Sequence, residues 1–524
     1  MAEEQKTGKT CLVLLEAIGI GGDDEKNAVK EAEMPFLNSL KSDENCLYYE
    51  LEANGMKVGL PEGKPGNAGI GTLVIGTGKR QYRNVVRISQ QIDNGFFEKN
   101  EVLSKIFSEV TGSNNRIHFV GCITDSQEEA DIKHLYKLLE CAKAAGVREA
   151  YIHCILDGED APNGKGLELT KDLEEWTVEN DFAVVGSVAG KKGILDSTDT
   201  LVTMEKYMKV LLAGDNLTNV TASDYIQLRY DQLEEDLTLT PALVNADAQI
   251  QDNDHVFIFN VRTGTSALLM HCLMMCDAAV EETEELKKIN AQLGFMKQIA
   301  KPSIHLASLV QYDEASSLPV VVPPAAIEST FVKVLSESGK KQLRVAEESR
   351  FTHVKFLLNG AGDAETKNDD FVMINDKQGM KSRTTLVVGM DATAKMMVNA
   401  MKSGYYDQVT TILAGAGTAC STFSYELVVD MCKEVDRVLK TICEAAKESG
   451  YTVVAVGTHA EATHVRENEE EPVVCNNVPC VIVPPEGVKY ERQALDEYSL
   501  ENVAATCLKI VGCQPAEHMQ AALV

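Results

Sequence analysis

Basic residues are scarce in this chain, and so are aromatic ones. Its 524 residues hold 50 Lys and Arg against 79 Asp and Glu, a formal charge of −29 at neutral pH. A phosphate backbone needs a basic face, so nucleic acid is excluded as the principal partner. Docking on anionic membranes is excluded on the same ground. Aromatics make up 6%, with one tryptophan, Trp176. No run of about 18 apolar residues occurs, so no membrane span is expected. The apolar run 11–15 is too short for the core of a signal peptide. No C-x-x-C exists, since Cys272/Cys276 and Cys475/Cys480 have other spacings, and a structural zinc site is not expected. The P-loop is missing too: Gly8-Lys9-Thr10 is preceded by Glu3 where Gly is needed, and Gly78-Lys79 is followed by Arg80. His459 and His464, with Glu461 between them, do not have the spacing that puts two imidazoles on one helical face. Repeats and low-complexity segments are absent.

What is present is a globular composition, 44% hydrophobic and 25% charged. The length exceeds one core, and two domains are expected. The 14 cysteines are scattered, many inside apolar runs such as 119–123 and 151–156. They read as reduced, buried small hydrophobes, which places the protein in the cytoplasm. The acidic clusters at 231–236, 281–285 and 467–471 read as solvated faces or loops.

Short apolar runs at 10–15, 117–123, 149–156, 182–188, 255–261, 354–358, 408–413, 452–456 and 479–483 read as buried strands. Helical patterns follow at about 128–145, 391–403, 424–449 and 496–511. Continuous apolar strands alternating with helices imply an α/β protein with parallel sheets covered on both faces. Breaks fall at 79–87 and at the Pro-punctuated run 318–324.

The most informative stretch is Val58-Gly59-Leu60-Pro61-Glu62-Gly63-Lys64-Pro65-Gly66-Asn67-Ala68-Gly69-Ile70-Gly71-Thr72. It resembles V-G-L-P-D/E-G-x-x-G-N-S-E-V-G-H, the nucleophile segment of cofactor-independent phosphoglycerate mutases. The likeness continues through Met34-Pro35-Phe36-Leu37, Ile75-Gly76-Thr77-Gly78-Lys79-Arg80, Asp93-Asn94-Gly95-Phe96-Phe97, Asp157-Gly158-Glu159-Asp160-Ala161-Pro162, Phe259-Asn260-Val261-Arg262 and Leu343-Arg344-Val345-Ala346-Glu347. The resemblance implies an alkaline-phosphatase-like α/β domain with a parallel sheet, built from both ends of the chain, with a second α/β domain inserted. The expected limits are 1–83 and 317–524 for the first and 84–316 for the inserted phosphotransferase-like domain.

The family moves a phosphoryl group between the 3- and 2-hydroxyls of glycerate through a phosphoserine. Two divalent ions, manganese or magnesium, activate the serine and clamp the reacting oxygens. In this sequence the serine position is Ala68. The resemblance puts the metal-ligand positions at Glu16, Gly417, Ser421, Thr458, His459 and Val473. His459 keeps the family's residue, and Glu16 keeps a ligating group one methylene longer. Two residual ligands do not fix two ions, so no catalytic residue and no metal cofactor are expected. The substrate positions have changed as well. Asp160, Arg262 and Arg350 are vestigial, while Glu129, Glu159, Ser197, Thr200 and Thr265 replace groups that would meet an anion. Glu129 and Glu159 should repel it.

The resulting expectation is a pseudoenzyme, serving as a binding or structural component of a larger assembly with an unidentified protein partner. The alternative is an active mutase interconverting 3- and 2-phosphoglycerate through a displaced nucleophile such as Thr72 or Ser421. A third reading is a small-anion sensor using Arg262.

Overall fold

Along the chain's first strand, side chains alternate between two buried layers. Cys11, Val13 and Leu15 join one apolar cluster, Leu12 and Leu14 another. A strand buried on both faces is the centre of an open sheet covered by helices. The structure, a computed structural model, describes residues 8–195, 201–280, 283–314, 316–327, 329–362, 366–375, 381–468 and 471–524. In chain order its strands are β1 Lys9–Leu15, β2 Leu47–Leu51, β3 Arg116–Ile123, β4 Glu149–Leu156, β5 Val184–Gly190, β6 Ala242–Leu243, β7 His255–Ile258, β8 His305–Val310, β9 Val320–Val322, β10 Gln342–Glu347, β11 Asp369–Ile374, β12 Gln408–Leu413, β13 Tyr451–Gly457 and β14 Val478–Val483.

Two units emerge, Met1–Arg83 with Ala326–Val524, and Asn84–Ala325. The first contains the sheet β11-β10-β12-β1-β13-β14-β2, parallel except where β14 pairs β13 and β2. Helices Arg383–Ser403 and Tyr425–Ser449 cover one face through Met390, Met397, Val435 and Leu439. Helices Ala68–Thr77 and Asn502–Ile510 cover the other through Val74, Ile75, Val503 and Leu508. Each such buried side chain contributes roughly 1.5–3 kcal/mol. The second unit contains β6-β5-β4-β3-β7-β8-β9, parallel except at β5–β6.

Two expectations from the sequence need correction. The second transition between units falls at 325/326, not 316/317. Its Pro-rich run is partly a strand, since Val320 and Val322 of β9 pair with Ser308 and Val310 of β8. The run 354–358 is helical, not extended. Val354 lies on helix Phe351–Lys355 and Leu358 on the 3-10 turn Leu357–Asn359. Both are fully buried, and short apolar runs do not distinguish strand from helix by pattern alone. Conversely, β10 was not recognised as a strand, because Arg344 interrupts its apolar pattern. That side chain is buried, donating to the carbonyls of Val354 at 2.6 Å and Lys355 at 3.0 Å and pairing with Asp369.

Candidate functional site

In open α/β sheets, ligands meet the carboxyl ends of the strands, and here the singled-out residues gather at those ends in each unit separately. In the first unit Glu16 directly follows β1 and Thr458 directly follows β13, its N–H donating to the Leu15 carbonyl at 3.1 Å. Helix Ala68–Thr77 arrives at the same edge. Asn67 caps it, its Oδ1 accepting from the Ile70 N–H at 2.9 Å, so Ala68 is the first helical residue. Gly71 brings the helix against the sheet: a Cβ there would lie 2.9 Å from the Thr458 carbonyl carbon. A Cβ on Gly66 would lie 3.7 Å from that of His459. The edge therefore assembles Ala68, Glu16, Thr458 and His459.

The charge at this edge is arranged within the chain. Glu16 is buried, and both of its oxygens are taken by Arg350, Nε to Oε2 at 2.6 Å and Nη2 to Oε1 at 2.7 Å. Arg350 closes the 3-10 turn that follows β10. The resemblance made it a vestigial substrate contact, whereas its fork is spent on Glu16. Glu16 runs over Gly417, in helix Gly415–Cys420 after β12, with Glu16 Cδ 2.6 Å from a Cβ built there. Ser421 stands exposed at the end of that helix, accepting from Lys381 Nζ at 2.9 Å. Val473 is half-buried on the segment before β14 and brings no donor atom. The His459 ring is satisfied locally, by Thr458 Oγ1 at 3.1 Å and Glu461 Oε2 at 3.3 Å. His353, on helix Phe351–Lys355, has a buried Nδ1 without a hydrogen-bond partner. Burial lowers its basicity, the Glu16 charge works to raise it, and Arg350 and His459 lower it further. Among the described residues no group of three or more His, Cys, Asp or Glu is placed to hold a metal.

The second unit's strand ends carry an ionic cluster around Lys191, the residue after β5. Its side chain is 1% exposed, and its Nζ meets Glu129 at 3.4 Å, Asp157 at 3.3 Å, Glu159 at 2.8 Å and Asp160 at 2.8 Å. Burial alone would lower the lysine's pKa, but these carboxylates outweigh it and hold it above its ordinary value. Glu129, fully buried, also accepts from Arg262 Nη1 at 3.0 Å and Thr265 Oγ1 at 2.6 Å. Burial lifts its carboxyl, against the Thr265 hydrogen bond and the Lys191 and Arg262 charges. Asp157 accepts from Thr124 Oγ1 at 2.8 Å and Ser126 Oγ at 3.1 Å. Burial would raise it, yet the Lys191 charge, the Asp160 N–H and the Thr124 hydroxyl keep it below its ordinary value. Glu129 is paired with Lys191 and Arg262, and Glu159 with Lys191, although these two cations are shared among four carboxylates. Ser197 and Thr200 lie outside the described residues.

Sequence reasoning missed Lys191. Its one signal is a Lys-Lys pair after an apolar run, which more often marks a solvated loop. It also missed His353 and the Glu16–Arg350 pair, whose partners are far apart in sequence.

Known proteins are similar to this chain over most of its length. The family described as BPG-independent PGAM N-terminus matches residues 88–314. The 2,3-bisphosphoglycerate-independent phosphoglycerate mutase 2 of Methanosarcina acetivorans is 29% identical over 97% of this chain and 96% of its own. The enzyme of that type from Syntrophotalea carbinolica is 27% identical over 96% of this chain and 95% of its own. Among solved structures, Leishmania mexicana phosphoglycerate mutase at low cobalt concentration superposes with a TM-score of 0.66 at 20% identity. That match covers 99% of this chain and 98% of the other, and it shows the fold.

Proposed function

We propose, from the premise that this chain belongs to the cofactor-independent phosphoglycerate mutase family of the alkaline phosphatase superfamily, that it has kept the fold and lost the phosphoryl transfer. One observation carries the reading: the residue presented at the start of helix Ala68–Thr77 is alanine. Transfer through a phosphoserine needs an oxygen there, and a methyl group has no lone pair to offer. The displaced candidates do not substitute for it. Thr72 is wholly buried, with an unpartnered hydroxyl, and Ser421 is tied to Lys381 and to the Thr418 carbonyl.

The residues also fail to fit a two-metal centre. Of the ligand positions, Gly417, Ser421, Thr458 and Val473 offer no carboxylate or imidazole, and Glu16 is committed to Arg350. Without that nucleophile and without residues to hold two ions, phosphoryl transfer has no route through these positions. Its role is that of a binding or structural component of a larger protein assembly, without nucleic acid or membrane, in the cytoplasm. No described helix is long and apolar enough to cross a membrane.

A mutase assay with 3-phosphoglycerate and manganese tests the reading, alongside mass spectrometry of the complex captured on the tagged native protein. Turnover above a mock preparation would refute it. The second reading, an active mutase, is favoured by the relatives' match over 97% of this chain, and the same turnover would establish it.

A further inference from the structure

We propose that the second unit holds a binding cleft for a small amine, an apolar body carrying one protonated nitrogen, at the amino ends of its strands. The cleft lies at the opposite edge of that sheet from the Lys191 cluster and is independent of the loss of phosphoryl transfer. His255 and His305 are the first residues of β7 and β8. Register sets His255 beside Ile117 and His305, and Phe257 beside Ala307, so these five side chains share one face of the sheet. Between them and helix Glu101–Gly112 is a cleft of about 530 Å³, the size of a small-molecule site. Ile106 and Pro319 join Ile117, Phe257 and Ala307 in making its lining largely apolar.

The polar groups of the lining set the sign of the ligand. Glu109 and Asp277 belong to it, and among the described residues no lysine or arginine does. Asp277 is held in place by the N–H groups of Leu306 and Ala279, both at 2.8 Å. Lys105 stands 3.8 Å from Glu109, and both side chains are more than half exposed, so this pair offsets little of the carboxylate's charge. Two negative charges beside an apolar cleft repel an anion and attract a cation. The second sign is His255. It is 5% exposed and stacks on His305 with ring centroids 4.6 Å apart, yet its Nδ1 has no hydrogen-bond partner. A buried polar atom left unpaired calls for an explanation. Burial, and then the neighbouring His305, push the pKa of this ring down to about 4, so it is neutral at pH 7 and one of its nitrogens accepts. An ammonium donates only, and it therefore complements the imidazole and the carboxylates together. The apolar walls cover the rest of such a molecule.

The test is calorimetric titration and melting of the full-length protein with three probes of one skeleton: phenethylamine, the neutral 2-phenylethanol and the anionic 3-phenylpropionate. Phenethylamine at ten times its Kd should raise the melting temperature by about 2 °C or more. The alcohol should bind more weakly and the carboxylate not at all. Glu109→Gln, at an exposed position that does not endanger folding, should weaken phenethylamine about threefold. Ala307→Leu fills the floor of the cleft and should abolish binding. That variant also separates the cleft from general attraction to a chain of net charge −29, which would survive it. Phenethylamine that does not bind wild type, or that binds Ala307→Leu as well as wild type, overturns the site. An alcohol or a carboxylate that binds as tightly as the amine overturns the assignment of the ligand's charge.

Discussion

Glu16 and Gly417 occupy one space: a Cβ on Gly417 would stand 2.6 Å from Glu16 Cδ. The two positions are therefore coupled, since the acid at 16 requires the absence of a side chain at 417. Gly417→Ala should destabilise the first unit by about 2 kcal/mol, because overpacking outweighs the gain of about 1 kcal/mol in helix propensity. Glu16 has no easy way aside, since Arg350 holds it. Glu16→Asp/Gly417→Ala should recover part of the loss in urea titrations. Strict additivity of the two changes would show that they do not share space.

Ala17, the next residue, sits at a φ of 67°, in the left-handed region. A non-glycine residue there is strained by about 1 kcal/mol, so Ala17→Gly should stabilise the first unit by about 0.5–1 kcal/mol. A destabilising Ala17→Gly, read by the same titration, would contradict the backbone geometry.

Lys191 is the buried keystone of the second unit's cluster. Lys191→Met leaves Glu129, Asp157 and Asp160 without their shared cation and should cost about 3–5 kcal/mol. Glu159→Gln should change stability by less than about 1 kcal/mol, because the Glu159 side chain is 60% exposed. Equal effects from the two variants would mean that burial does not govern this cluster.

A wholly buried chain runs through the second unit from Ser187 to His153 (2.8 Å), His118 (2.9 Å) and Asp254 (2.9 Å), with Arg116 Nε on Asp254 at 3.0 Å. Burial holds both imidazoles below their ordinary pKa, and for His153 the neighbouring His118 adds to it. Burial likewise pushes His134 and His255 down to about 4. The unfolded chain takes up protons near pH 6.5 that the folded state refuses. Stability is therefore full above that pH and falls as pH drops below it. Each such histidine contributes up to about 1.4 kcal/mol per pH unit between its two pKa values. Denaturation at pH 7 and pH 5 should show the second unit weakened at pH 5, and His153→Gln should flatten the slope. A pH-independent midpoint would reject the account.

Ala68→Ser restores a hydroxyl to the helix start but neither ions nor an open Glu16. It should leave phosphoglycerate mutase activity at background in a coupled assay, with or without manganese. Any turnover by this single variant would show that the remaining machinery is intact.

The order of residues was enough to determine the α/β class, because strands such as β1 and β13 are apolar on both faces and leave no other way to bury themselves. It was also enough to single out Ala68, which stands at the first position of helix Ala68–Thr77. What tertiary structure alone decided is where the charges went. Glu16 and Arg350 are 334 positions apart and meet because β1 and β10 end at the same edge of one sheet. Lys191 finds its carboxylates through the ends of β3, β4 and β5. A charge in sequence looks like a solvated surface by default. Only its burial, and the partner that burial demands, turns it into the counter-ion that fills a site.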